Sequence, residues 1–213
     1  MGLFDFFKKK KITQNEENLI SSNRITHKLY SGIFVFNNKI EELLKQDSFI
    51  ARSDYKNLIV EYKDLYESIL NFYNNNLISD FSKKYNIKIS EINRFSNLYK
   101  EIQDLKKESP SIKSHNEEYI KKHLDSQKQY FDTILRDCDP NIMLDEEQRR
   151  VILSDEDHTL VIAGAGAGKT TTIAAKVKYL TEKKHIKPSQ ILVISFTNKA
   201  VDELKNRINH NLR

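Results

Sequence analysis

Residues 163–170 read Ala-Gly-Ala-Gly-Ala-Gly-Lys-Thr, between an apolar run and a stretch of helical character. A glycine-rich turn lets successive backbone N–H groups converge into a concave anion site. A helix opening at Gly168–Lys169 adds the positive end of its dipole. In that setting the Lys169 ammonium reaches the β- and γ-phosphates of a nucleotide, and the Thr170 hydroxyl ligates magnesium. Gly164, Ala165, Gly166, Ala167, Gly168 and Thr171 complete the expected phosphate-binding stretch. The strict pattern begins with a glycine where this chain has Ala163. The turn depends more on Gly166 and Gly168 than on that first position.

Two flanking strings narrow the chemistry. Gln148 lies 21 residues before Lys169, in LDEEQRRVI. A glutamine amide offers a donor and an acceptor together, which matches the edge of adenine. Downstream, Phe196, Thr197 and Asn198 follow the apolar run ILVIS. Ligands gather at the carboxyl ends of parallel strands. An aromatic beside small polar groups there can stack a base while a phosphate is held. Taken singly, Gln148 is an exposed helix residue and Phe196 a core residue.

These residues need elements to hold them. Asp145 is placed to cap a helix running to about Leu153. His158–Ala163 and Ile191–Ser195 are short β-rich runs. Thr171–Lys184 reads as helix, and Thr197 or Asn198 caps another that reaches about Asn209. Strand, loop, helix, strand, helix is a βαβ unit with a parallel sheet. Pro140 marks where this pattern begins.

Before it, apolar residues fall three and four apart. Leu58, Tyr62, Leu65, Ile69 and Phe72 form one stripe, within a helical signal over 54–84. Ile92, Phe95, Tyr99 and Ile102 form a second. Ile120, Leu124, Gln127, Phe131 and Ile134 form a third. Such narrow stripes predict a helical hairpin or small antiparallel coiled coil. Pro110 separates the second stripe from the third, and Asn74–Asn76 favours a break. IEELLKQDSFI (residues 40–50) reads as helix. Ile33–Phe36 is either a strand or a buried helical turn, because four residues are too few for periodicity to decide.

Composition agrees with this division. Three of the five glycines fall within 164–168, and none lies between Gly32 and Gly164. An all-β domain needs glycine- and proline-rich turns at regular spacing, so residues 33–163 cannot form one. No apolar run approaches the ~18 residues of a membrane span, and no stable membrane association is expected. Residues 1–12, an apolar tip followed by four lysines, read as a frayed terminus or a weak interfacial anchor. The net charge of +5 falls short of the basic excess that holds a protein on nucleic acid by charge alone. Cys138 is the single cysteine, which excludes an internal disulfide and suits a reducing cytoplasm.

Together the three strings resemble the opening of a superfamily 1 DNA helicase of the UvrD/Rep kind. LDEEQRRVI resembles its Q motif, AGAGAGKT its motif I and ILVISFTNKAVDELKNRI its motif Ia. Within that group the chain looks most like the DNA helicase IV type, through Tyr130–Ile134, the SQIL string and the long N-terminal extension. The specific likeness covers about residues 130–213. It implies a mainly α extension over 1–138, then the start of an incomplete α/β P-loop (RecA-like) NTPase domain over 139–213. It also implies ATP and Mg2+ as cofactors, held by Gln148, Gly166, Gly168, Lys169 and Thr170. Single-stranded DNA would meet Phe196, Thr197 and Asn198, with ATP-driven movement 3′ to 5′.

The family's later motifs, which position the attacking water and contact the γ-phosphate, would lie beyond Arg213. The expectation is an N-terminal portion that binds nucleotide weakly and does not turn it over alone, whether as a fragment or an interrupted gene. Two predicted strands leave edges and apolar faces uncovered, so partial unfolding or aggregation is expected. A second reading is a non-hydrolysing interaction protein. Its helices over 39–137 would engage a partner such as RNA polymerase, and the nucleotide fold would be vestigial. A small P-loop kinase or GTPase fits less well. No guanine-reading Asn-Lys-x-Asp string is present, since Ala200-Val201 follow Asn198-Lys199.

Overall fold

Apolar stripes at helical spacing fold here as helices, and helices are the only regular elements besides one 3-10 turn among the described residues. The computed structural model describes residues 31–164 and 166–209. The readings of residues 1–12, and of Ala165 in the glycine loop, lie outside them.

The elements are α1 (31–45), α2 (Arg52–Glu61), α3 (Lys63–Asn74), α4 (Ile78–Tyr85) and α5 (Ile89–Ile102). There follow α6 (Pro110–Ser126), α7 (Lys128–Thr133), α8 (Glu146–Leu153), α9 (Lys169–Glu182), a 3-10 turn (Pro188–Gln190) and α10 (Asn198–Asn209). No helix among them is long and apolar enough to cross a membrane. The chain divides into two units, 31–45 with Tyr55–Glu108 and Gln46–Asp54 with 109–209.

In the first unit α3, α4 and α5 pack on one another. Every residue of the second stripe, Ile92, Phe95, Tyr99 and Ile102, is buried. Of the first stripe, Leu58, Tyr62 and Ile69 are buried. Ile33–Phe36 is helical, inside α1, with Ile33 and Phe36 inward and Phe34 and Val35 exposed. Phe36 meets Phe95 and Tyr62 edge-on, with ring centroids 4.9 and 5.2 Å apart. The single helical signal over 54–84 becomes three helices. The first break, at Tyr62, is a kink: Tyr62 N–H still donates to Leu58 O, and Tyr62 O still accepts from Tyr66 N–H. The second falls at the asparagine run, where Asn76 takes φ +58°, a left-handed backbone that asparagine tolerates.

α1 stops at residue 45, five short of the predicted helix over 40–50. The cause is non-local. The buried Asn116 side chain accepts from Ile50 N–H at 2.8 Å and donates to Ile50 O at 3.0 Å. It satisfies both backbone groups of Ile50, as a neighbouring strand would. Lys122 adds an ion pair to Asp47, and Glu156 accepts from the Arg52 guanidinium at 2.6 Å. These bonds draw residues 46–54 into the second unit.

In the second unit α9 packs against α8 and α10, and α6 against α7 and α8. One apolar cluster joins Phe131, Ile134, Ile152, Leu153, Ala174, Ala175, Tyr179 and Leu204. Pro110 opens α6 at the first helical position, where its missing N–H costs nothing.

The two predicted strands differ from expectation. Neither His158–Ala163 nor Ile191–Ser195 is a strand among the described residues. Leu160 and Ile162 are 85% and 88% exposed, and Leu192 and Ile194 83% and 81%. Val193 packs against the apolar cluster. A strand's hydrogen bonds come from its neighbours rather than from itself, and here neither run has a paired neighbour. Among the described residues of 139–209 the regular elements are therefore helices and one 3-10 turn, joined by irregular stretches.

Candidate functional site

Asp145 precedes α8, and its carboxylate accepts from Gln148 N–H at 2.8 Å. The Gln148 side-chain oxygen accepts in return from Asp145 N–H at 3.1 Å. This reciprocal capping box satisfies two of the orphan donors at the helix start. The same glutamine's amide nitrogen donates to Ala167 O at 3.3 Å. Gln148 therefore binds the start of α8 to the glycine loop with a single side chain.

The loop runs into α9. Gly166 and Gly168 both have φ +77°, a region where side chains with a Cβ are strained. Gly168 caps α9, and its carbonyl accepts from Thr172 N–H at 2.8 Å and the Thr172 hydroxyl at 3.0 Å. Lys169 is exposed and folds back over the loop, donating to Ala163 O at 2.8 Å and Gly164 O at 2.6 Å. The structure thus brings Gln148, Ala167, Gly168 and Lys169 together. Gly164 and Gly166 are open, with no atom near an added Cβ, and Thr170 lies half-buried in the first turn of α9. The Thr171 hydroxyl accepts from Arg207 of α10 at 2.6 Å.

Gly168 and Gly166 make a matched pair for experiment. A Cβ on Gly168 falls 2.5 Å from Gln148 Nε2, whereas one on Gly166 meets nothing. Gly166→Ala is expected to cost only the left-handed backbone penalty, about 1–2 kcal/mol. Gly168→Ala carries that penalty and also pushes Gln148 off Ala167 O, so its urea midpoint falls further. Equal midpoints for the two variants would contradict this.

Phe196 is wholly exposed, and Thr197 and Asn198 are exposed beside it. Thr197 caps α10, its hydroxyl accepting from Ala200 N–H at 3.2 Å. Phe196 therefore has no part in the core of the second unit.

Two features of the site carried no clear signal in the sequence. The first is Arg207. The second is Lys176, whose ammonium donates to Ile152 O at 2.7 Å, Ser154 O at 2.8 Å and the Asp155 carboxylate at 3.0 Å. Asp155 also pairs with Lys184 at 2.8 Å. This brace fastens α9, the helix that follows the glycine loop, to the chain leaving α8. Burial lowers the Lys176 pKa, and Asp155 offsets only part of that effect. Burial alone would raise the Asp155 pKa, but Lys184 and Lys176 outweigh it and hold the carboxyl below its ordinary value. A depressed carboxylate pKa adds stability above the unfolded value near 3.8, and that stability is lost as pH falls through the lower folded value. Asp155→Asn is expected to cost about 1.5–3 kcal/mol at neutral pH, the range for hydrogen bonds to charged groups. The difference from the parent should shrink in acid melts at pH 3 and below. A difference constant down to that pH would refute the assignment.

Comparison with known proteins places the same segment. The pattern of the UvrD/REP helicase N-terminal domain matches residues 144–213. The "Probable DNA helicase II homolog" of Mycoplasma capricolum is 46% identical over 66 residues, covering 31% of this chain and 9% of that protein. ATP-dependent DNA helicase srs2 of Schizosaccharomyces pombe is 45% identical over 65 residues, 30% of this chain and 7% of that protein. ATP-dependent DNA helicase PcrA of Staphylococcus epidermidis is 40% identical over 67 residues, 32% of this chain and 9% of that protein. The chain thus spans less than a tenth of the length of each of these relatives. No solved structure matches it significantly. Residues 144–213 are thus similar to the N-terminal domain of UvrD/REP helicases.

Proposed function

We propose that this chain carries the ATP- and single-stranded-DNA-binding opening of a DNA helicase or translocase that moves 3′ to 5′. The observation that carries the reading is the glycine loop. Two left-handed glycines lead into the N-terminus of α9, with an exposed lysine ammonium over the turn and Gln148 beside it. An exposed ammonium, a helix N-terminus and threonine hydroxyls are a donor set suited to a triphosphate with Mg2+.

Residues 139–213 are then the start of the ATP-binding domain, and residues 1–138 its helical extension. Gln148 would read adenine. Gly164, Ala165, Gly166, Ala167 and Gly168 would cradle the phosphates, Lys169 would meet the β- and γ-phosphates, and Thr171 would stand beside them. Thr170 would ligate Mg2+. Hydrolysis of bound Mg2+-ATP would supply the free energy for movement along DNA. Phe196, with nothing packed on its ring, offers a base-stacking surface worth ~1–3 kcal/mol per base, and Thr197 and Asn198 flank it. The runs at 158–163 and 191–195 would become parallel strands once paired. The outward set of Leu160, Ile162, Leu192 and Ile194, opposite the inward Val193, has the two-residue alternation such strands need.

Equilibrium titration of the 213-residue chain with a fluorescent ATP analogue, with and without Mg2+, and with labelled oligothymidylate tests this. Magnesium-dependent nucleotide binding, and oligonucleotide binding weakened by Phe196→Ala, are expected. A chain that binds neither ligand would refute the reading.

A further inference from the structure

Helix α10 touches both proposed ligand regions. Its N-terminus carries Thr197 and Asn198, and nine residues later Arg207 reaches the first turn of α9. At 1.5 Å per residue the two ends lie about 13 Å apart. Between them Leu204 is buried in the cluster that holds Ala174 and Ala175 of α9. A rigid helix held at an interior point moves its two ends together when either is displaced.

The Arg207 end is well anchored. One guanidinium nitrogen donates to the Thr171 hydroxyl at 2.6 Å, and another pairs with Glu203, one turn earlier, at 2.7 Å. The Arg207 carbonyl accepts from the Cys138 thiol at 3.0 Å. A planar guanidinium keeps a fixed fork geometry that a lysine ammonium does not. The Thr171 oxygen accepts from Arg207 while its own hydrogen stays available to donate. Thr171 is adjacent to Thr170 and two residues from Lys169. A shift of Arg207 therefore turns a hydroxyl within the loop's own helix turn, without either ligand touching Arg207.

We propose that Arg207 is a positioning residue that couples occupancy of the DNA-contacting start of α10 to nucleotide affinity at the glycine loop, through Thr171. This rests on the nucleotide- and DNA-binding reading above. The coupling is reciprocal, because each ligand must change the other's affinity by the same factor.

The test measures the dissociation constant of a fluorescent ATP analogue with Mg2+, with and without saturating oligothymidylate, on the whole 213-residue chain. In the parent chain the oligonucleotide is expected to shift it by about fivefold or more, the lower end of typical coupling. In Arg207→Met the shift falls to within about twofold, while oligothymidylate affinity measured without nucleotide is kept. Arg207→Lys restores little of the shift, because the ammonium lacks the fork that spans Thr171 and Glu203. Glu203→Gln, which loosens the anchor without removing Arg207, gives an intermediate shift and covers the case of an Arg207→Met chain that does not fold. In a Thr171→Val background, Arg207→Met changes nothing further. An undiminished shift in Arg207→Met overturns the proposal, as does a parent chain that binds both ligands independently. A parent chain that binds neither ligand instead overturns the functional reading beneath it.

Discussion

Replacing Lys169 with alanine is expected to weaken binding of a magnesium nucleoside triphosphate by about 10- to 100-fold, the equivalent of ~1.5–3 kcal/mol for hydrogen bonds to a charged group. The ammonium now donates to two neutral carbonyls, Ala163 O and Gly164 O. A phosphate oxygen is the better acceptor, since its negative charge adds direct Coulomb attraction to a bond whose donor is already ionised. Binding thus exchanges weaker bonds for stronger ones, and the alanine variant loses that gain. The two carbonyls left behind sit in an exposed loop where water replaces the lysine. Thermal stability should therefore stay within about 0.5 kcal/mol of the parent, as for other surface changes. Lys169→Met should lose as much affinity as Lys169→Ala, because the charge matters and the aliphatic stem does not. Titration with a fluorescent nucleotide, paired with a thermal melt, separates these outcomes. Retained affinity in either variant would remove Lys169 from the site.

Replacing Phe36 with alanine is expected to cost about 3–5 kcal/mol, the range for emptying a buried aromatic site. Phe36 has no solvent exposure and meets Tyr62 and Phe95 edge-on. Each such ring pair adds about 0.5–1.5 kcal/mol beyond area burial. A unit of this size has little stability to spare, so its amides should lose most of their protection. Hydrogen exchange read along α3 and α5 measures this. Phe36→Leu should fall between the parent and the alanine variant, since it refills part of the volume. Unchanged protection in α5 of the alanine variant would show that Phe36 is not the centre of this core.

Much of the helical structure was legible because helices are local. Residues three and four apart share a face, so the spacing of Ile92, Phe95, Tyr99 and Ile102 announced a buried stripe, and all four are buried. The start of α8 was legible for the same reason. An aspartate three residues before a glutamine is a capping pattern, and both of its bonds form. The left-handed turns at Gly166 and Gly168 follow from glycine itself. The order of the three strings also carried the resemblance, and the UvrD/REP helicase N-terminal domain pattern matches residues 144–213.

What the chain alone left open depends on distant partners. Ile33–Phe36 suited a strand or a helix until Phe95 and Tyr62 gave one side of a helix its neighbours. The helix predicted to reach residue 50 ends at 45, because Asn116, 66 residues away, bonds both backbone groups of Ile50. Arg207 gained its place only when α10 packed on α9, and Lys176 only when α9 packed on α8. The runs His158–Ala163 and Ile191–Ser195 have strand composition but are not strands among the described residues. A helix satisfies its N–H and C=O groups within its own few turns, so short stretches of sequence suffice to specify it. A strand takes its bonds from another segment, so its composition can favour the extended form, but only a paired neighbour can complete it.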